Sequence, residues 1–400
     1  MSGIRSFSAY QKKILAALFA IYFCTYIGRL NMSATLDHII EAFSISASSG
    51  GLLQTLWAVF YAAGQLVFGT LSDRFVPKRL ISVGLIGSAA CNALFSFSGT
   101  FASALAIWTL NGVFQSMIWT PVVICMAATF EDSQRKSASL VMSFTLAAGH
   151  LAAWAIAMRM AEILSWRWSY RIPALVLCAA AVIAMTVIPR GIRKLADTNK
   201  SGKSAERAPV RELYGTGLFL LLLCCVTNGF IRDGVITWGP TILGANKGTK
   251  LFSLIIPCIN MLGILLGAYL VRRVKTNIRA LVGLMLAGTA LPGLALFAGG
   301  ALPVYLTALL LGVMSALLYG TNPLLTTLVP MQYDEYGRVG LAAGLTDCFI
   351  YLGSSLSGYV TGRVHDISGG WTVIYLTWAA AAIVGCVLAI MSSRRRVHRL

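Results

Sequence analysis

The feature that most constrains this chain is a recurrence of apolar runs about 20 residues long, separated by short charged stretches. A bilayer's hydrocarbon core is about 30 Å thick and an α-helix rises about 1.5 Å per residue, so each run has the length of one crossing. Runs such as 218–226 are apolar on every face. That excludes the in-out alternation of a spanning β-barrel and leaves helices, which satisfy their backbone groups within the segment. The pattern predicts helices near 13–35, 49–71, 79–98, 101–128, 137–160, 170–189, 213–240, 250–271, 279–299, 302–328, 338–361 and 370–391. The reading is an all-α integral membrane protein of twelve spans. Only 12% of the 400 residues are charged and 57% are hydrophobic, more apolar surface than a water-soluble fold can hide.

A formal net charge of +18 invites a nucleic-acid reading, and the positions of the basic residues exclude it. With the amino terminus in the cytoplasm, one side collects Lys12, Lys13, Arg74, Lys78, Arg79, Arg135, Lys136, Arg272, Arg273, Lys275 and Arg279. It also collects the basic loop from Arg190 to Arg211 and the tail Arg394, Arg395, Arg396 and Arg399. The other side keeps chiefly Arg159, Arg167, Arg171, Lys247, Lys250 and Arg363, the asymmetry of the positive-inside rule for an even number of spans with both termini cytoplasmic. Nine cysteines fall inside predicted spans with no CxxC pair and read as small packing residues. The first apolar segment is too long for a cleavable signal and carries Arg29, so it is expected to remain in the mature protein.

The one long hydrophilic stretch within the spans, from Arg190 to Glu212, divides them six and six, giving halves 1–190 and 213–400 joined by a cytoplasmic linker at 191–212. Landmarks recur at an offset of about 200: Arg29 with Arg232, Gly69 with Gly267, Pro121 with Pro323, and Gly149 with Gly353. Their common order indicates a parallel internal repeat. Six plus six spans with inward termini are the layout of the major facilitator superfamily. Gly69-Thr-Leu-Ser-Asp-Arg-Phe-Val-Pro-Lys-Arg79 resembles that superfamily's loop signature, which makes Asp73, Arg74, Lys78 and Arg79 candidates for a cytoplasmic gate. An ordinary charged turn is the competing reading. The matching loop of the second half has Val271 in place of an acid.

A charged side chain near the bilayer centre costs about 2.5–3.5 kcal/mol on insertion scales, so Arg29, Arg232, Asp233 and Asp347 are functional candidates by default. Arg29 and Arg232 occupy equivalent places in spans one and seven, and the repeat symmetry predicts that they face each other. Two guanidinium forks suit a tetrahedral oxyanion better than a neutral sugar or an apolar drug. On the helix face of Arg29 stand Tyr26, Thr25 and Tyr22, readable as cavity lining or as core, and Asn228 lies one turn before Arg232. Asp233 is displaced about 100° from Arg232 around the helix, which argues against a direct bond; it serves either function or structure. Asp347 is a counter-ion to Arg232 or a proton carrier, and the sequence leaves both open.

Five segments resemble the organophosphate:phosphate antiporter branch of the superfamily, to which bacterial glycerol-3-phosphate and hexose-phosphate transporters belong. They are YIGRLN around Arg29, FGTLSDRFVPKR, GVFQSMIWTPVVI, IRDGVITWGPTIL and AAGLTDCFIYLGSSLSG, in family order over nearly the whole chain. The resemblance implies a 12-transmembrane-helix major facilitator fold of two six-helix halves. It implies a central site in which Arg29 and Arg232 hold phosphate and Tyr22, Tyr26, Tyr319 and Tyr351 line the cavity. Gln65 stands where family members carry a lysine, and His150 replaces a family glycine, where packing is its expected role. The implied activity is exchange of a phosphate-bearing organic anion for inorganic phosphate in the cell inner membrane, by a monomer surrounded by lipid. Proton-coupled symport of an organic anion or sugar, and a transporter-like sugar-phosphate sensor, are the alternatives. No nucleic acid, cofactor or metal is expected. Catalysis is disfavoured, because His38, His150, His365 and His398 are scattered and neither a nucleophile elbow nor a phosphate-binding loop is present.

Overall fold

The computed structural model describes residues 7–71, 75–189, 216–244, 249–273, 277–300, 302–333, 336 and 339–395. Among the described residues every regular element is helical. The first is α1 (Ala9–Ala34), which starts at a capping box in which Ser8 and Gln11 bond reciprocally. It is followed by α2 (Leu36–Phe43), α3 (Ala47–Leu71), α4 (Pro77–Phe95), α5 (Phe101–Ser116), α6 (Trp119–Thr129), α7 (Asp132–Ile163) and α8 (Trp168–Val187). Next come α9 (Leu218–Leu243), a 3-10 turn (Lys250–Leu254), α10 (Ile255–Arg273), α11 (Ile278–Ala298) and α12 (Val304–Pro323). A π turn (Leu324–Leu328) leads into α13 (Val329–Met331), and α14 (Val339–Ser368) and α15 (Thr372–Ser393) complete the chain.

Each of the twelve predicted spans coincides with one of these helices or with two consecutive helical segments. By length and apolarity alone, ten stretches among the described residues qualify as crossings; α4 and α14 do not. The shortfall has a local cause. Lys78 and Arg79 open α4, which also buries Ser82, Ser88 and Asn92, while α14 carries Asp347, Arg363, His365 and Asp366. Elsewhere the helices turn leucines outward, among them Leu175, Leu262, Leu284 and Leu291, as a lipid-facing surface requires.

Three predicted spans are not single α-helices, and of these 250–271 opens with the 3-10 turn Lys250–Leu254. The 101–128 segment breaks at Met117 and Ile118, because Pro121 has no N–H to offer the Met117 carbonyl and its ring crowds that oxygen. The equivalent segment of the second half passes into a π turn directly after Pro323. The repeated proline pair therefore marks two departures from α-helical geometry, one in each half.

By contacts the chain divides into two compact units, Met1–Phe43 with Leu56–Gly202, and Ser44–Thr55 with Lys203–Leu400. The excursion of Ser44–Thr55 into the second unit has no precedent in the sequence reading. Its cause is the C-terminal end of α14. Asp366 accepts the backbone N–H of Ala47 (3.1 Å) and of Ser48 (2.9 Å), while Ser46 accepts that of Ser49 (3.2 Å), so three orphan donors of α3 are covered. Gly51 and Gly358 let the two backbones touch, each leaving no room for a Cβ on the other, and Thr55 donates to the Ser355 carbonyl (2.6 Å). In the same unit Gly229 and Gly353 bring α9 and α14 into backbone contact, since a Cβ at Gly353 would strike the Val226 carbonyl.

Arg279, which the sequence assigns to the cytoplasmic side, is 1% exposed at the start of α11. Its guanidinium donates to Gln332 (3.2 Å), Tyr333 (2.8 Å), Ser392 (3.1 Å) and the Thr216 carbonyl. Helix ends supply the carbonyl and hydroxyl acceptors that make such burial tolerable.

The Asp366 cap has a defined pH response. Burial raises its pKa, but the bonds from Ser48 and Ala47 and the neighbouring His365 outweigh that and hold the carboxyl below its usual range. The contact is therefore complete above a pH of about 4 and lost only as pH falls through the lowered value. Hydrogen exchange at 47–50, corrected for intrinsic rates, is expected to stay slow from neutral pH down to that point. Asp366→Asn should speed it at neutral pH, and unchanged exchange in that variant would refute the cap.

Candidate functional site

In the first unit, Arg29 is positioned by a buried amide network that the sequence reading missed. The carbonyl of Gly28, its neighbour on α1, accepts bonds from Asn92 on α4 (3.0 Å) and from Asn111 and Gln115 on α5 (3.2 Å each). Asn31 donates to Asn92 (3.0 Å) and to the Ser169 carbonyl on α8 (2.9 Å). Away from water these bonds are costly to leave unmade, so α1 is fixed in rotation and height against three helices. The signal was present as buried-type amides in apolar runs, but only three-dimensional packing shows that they converge on one carbonyl.

Held in this way, Arg29 lies with its guanidinium carbon 4.1 Å from the ring centroid of Trp57 and 5.0 Å from that of Tyr61, both on α3. Those two rings stack at 4.7 Å, and Gln65, one turn beyond, donates to the Tyr61 hydroxyl (2.8 Å). Cation–π contacts are worth about 0.5–2 kcal/mol each and leave the planar edge of the fork oriented. Tyr22 packs on Trp119 (4.5 Å) and edge-on to Tyr26 (5.2 Å), and Tyr26 lies against Gly149, where a Cβ would approach within 2.7 Å. Thr25 donates its hydroxyl to the Tyr22 carbonyl (2.6 Å) of its own helix. Trp57 and Tyr61, the rings that flank Arg29, were not among the residues the sequence singled out.

In the second unit, Arg232 forms the centre of an ionic cluster. Its Nε donates to Asp233 Oδ1 (2.8 Å), its Nη2 to Asp233 Oδ2 (3.1 Å) and its Nη1 to Asn322 Oδ1 (2.7 Å). This corrects the expectation that the two neighbours do not bond. The 100° step separates the Cβ directions, whereas the long arginine side chain sweeps across that angle before presenting its fork. The pair is largely enclosed, with side chains 12% and 10% exposed. Tyr319 on α12 and Tyr351 on α14 stand within electrostatic range of the guanidinium. One turn back, Asn228 donates to Thr321 (2.6 Å), tying α9 to α12 just before Asn322 and the Pro323 break. Asn322 and Thr321 carried no sequence signal that set them apart from other small polar residues of the span.

Asp347 is a half-buried residue one turn before Tyr351 on α14 and acts electrostatically on Cys225 of α9, which precedes Arg232 by seven residues. The carboxylate bonded to Arg232 is Asp233, not Asp347. His150 is fully buried on α7 with its ring edge-on to Trp154 at 4.2 Å. Of the gate candidates, Asp73 and Arg74 lie outside the described residues, while Lys78 and Arg79 occupy the first turn of α4. Among the described residues no cluster of histidine, cysteine and carboxylate is arranged for a metal.

The chain is 22% identical to the membrane sensor protein UhpC of Salmonella typhimurium over 95% of its own length and 90% of that protein's. It is 24% identical to the glycerol-3-phosphate transporter of Bacillus subtilis over 96% and 92%. Its fold matches that of a bacterial homolog to the human lysosomal transporter Spinster in an inward-facing and occupied conformation. The TM-score is 0.76 at 15% identity, with 98% of each chain covered. The Major Facilitator Superfamily pattern runs from residue 18 to residue 357, from within α1 to within α14. With that pattern on a chain whose regular elements are all helical among the described residues, the chain belongs to the Major Facilitator Superfamily of membrane transporters and is not an enzyme.

Proposed function

We propose that this chain moves a small phosphate-bearing organic anion across the cell inner membrane, in exchange for inorganic phosphate, by alternating access. The observation that carries the proposal is the Arg232 cluster: a permanently charged fork surrounded by Asn322, Tyr319 and Tyr351, groups that donate hydrogen bonds to phosphate oxygens. Arg29, on the equivalent helix of the other unit and oriented by Trp57 and Tyr61, supplies the second guanidinium. A relative named as a glycerol-3-phosphate transporter, aligned over nearly its full length, supports a phosphate ester as cargo. The halves 1–190 and 213–400 are the moving bodies in this reading, with the linker between them and both termini in the cytoplasm. The protein works as a monomer in lipid, and Asp73, Arg74, Lys78 and Arg79 form its cytoplasmic gate.

Exchange follows from charge. An anion leaving Arg232 hands it back to Asp233 alone, and another anion from the solution then facing the site restores the loaded form. Only an anion that stabilises the occluded form more than the open ones speeds the interconversion. In liposomes, labelled phosphate uptake is therefore expected to depend on a phosphate or phosphate ester trapped on the opposite side; equal uptake without it overturns the exchange mode.

Arg29→Lys and Arg232→Lys are each expected to lower transport at least about tenfold, since a charge-assisted hydrogen bond is worth about 1.5–3 kcal/mol and an ammonium cannot present a bidentate fork. Full activity in either variant removes that arginine from the site. A reporter enzyme fused to the carboxyl terminus should be active only in the cytoplasm if the orientation is right.

A second reading is favoured by one observation, the likeness to a protein named as a membrane sensor. In it the same residues bind a sugar phosphate without net flux. Binding of a phosphate ester by purified protein, with no counterflow in liposomes, selects the sensor over the transporter.

A further inference from the structure

We infer that Asp233 is the counter-ion that an incoming anion displaces from Arg232, and that the displaced carboxylate takes up a proton, so that anion binding and protonation are one event. The inference rests on the reading that Arg232 holds the anion, and it adds what that site must do before it can.

The geometry sets Asp233 and the anion in competition for one edge of the guanidinium. Asp233 occupies the Nε and Nη2 edge of the guanidinium with both of its oxygens, the same edge a phosphate uses for a bidentate contact. Asn322 holds Nη1 from a different helix, so the guanidinium keeps its place when the carboxylate lets go. An anion that bound without removing Asp233 would meet a second negative charge on the same cation, which disfavours it by like-charge repulsion.

The fate of Asp233 follows from its surroundings. The element that bears it presents Arg232 as the adjacent cation. Against that Arg232, α12 brings Tyr319 and the neutral Asn322 and α14 brings Tyr351, with Asp347 one turn earlier on α14. At the next residue, Gly234, α15 presents Trp378, whose Nε1 lies 2.9 Å from where a Cβ would be. The 3-10 turn places Lys250 against Gly244, well along α9. A largely enclosed carboxylate that exchanges its guanidinium for a nearby anion is in the situation that favours the neutral acid. The step balances simply: two N–H···O bonds to Asp233 are replaced by two to the anion, and a proton from water forms an O–H bond at Asp233 Oδ. No electron moves.

Three consequences separate this from a purely structural ion pair. Anion affinity should rise as pH falls, by up to about tenfold per pH unit beyond the anion's own ionisation, because one proton is linked to binding. Flux of the anion should carry that proton with it. Without the carboxylate, binding should become tighter and lose its extra pH dependence.

The test is phosphate binding to the purified full-length protein in lipid nanodiscs, followed by calorimetry in buffers of different ionisation heat. The wild type is expected to take up about one more proton per phosphate than phosphate's own titration accounts for. Asp233→Asn should bind more tightly with that extra uptake gone, and Asp233→Glu should retain it with a shifted pH midpoint. Failure of the wild type to take up the extra proton overturns the inference, and so does extra uptake that survives Asp233→Asn but is lost in Asp347→Asn. Either result leaves phosphate binding intact. A wild type that binds no phosphate or phosphate ester at any pH between about 5 and 8, where histidine and phosphate titrate, instead overturns the proposed function itself.

Discussion

A guanidinium does not neutralise at any pH a cell meets, so a helix that carries one into a hydrocarbon layer has to bring hydrogen-bond acceptors and counter-charge with it. Much of the second unit's arrangement around α9 can be read from that requirement. Asn322 reaches Arg232 because Asn228 and Thr321 bind the two helices one turn away. Tyr351 is near because Gly229 and Gly353 let α9 and α14 meet backbone to backbone. The π turn after Pro323 begins directly beyond the residue that holds Nη1, an irregularity placed where the site needs a side chain re-aimed.

The first unit meets the same requirement by different chemistry. Arg29 is flanked by the faces of Trp57 and Tyr61, and its helix is held by side-chain amides that converge on the Gly28 carbonyl. Aromatic faces attract a cation without competing for its N–H donors as strongly as a carboxylate does. Two arginines at equivalent places in the two halves therefore differ in the groups that surround them.

At the C-terminal end of α14 the constraint is backbone rather than charge. Asp366 covers N–H groups at the start of α3, and glycine pairs remove the side chains that would hold the helices apart. The first turns of α3 consequently belong by contact to the second unit, while Trp57 and Tyr61 further along the same helix belong to the first. One continuous helix thus serves both units, and no hydropathy profile distinguishes its two ends.

Read alone, the sequence determined the class and the positions of the helices, and it singled out Arg29 and Arg232. Span length and the cost of a buried charge are properties of the chain against its solvent, and they need no partner. What only the tertiary structure decided were relations between side chains distant in sequence or free in rotamer. Examples are the Asn92, Asn111 and Gln115 bonds to Gly28, the burial of Arg279 among helix ends, and the Asp366 cap. Asp233 shows the limit most directly. The helical wheel put it on another face from Arg232, and the flexible arm of the arginine, steered by Asn322, brought the two into a bidentate pair. A wheel fixes Cβ directions, whereas where a long side chain ends is settled by the acceptors that packing places within its reach.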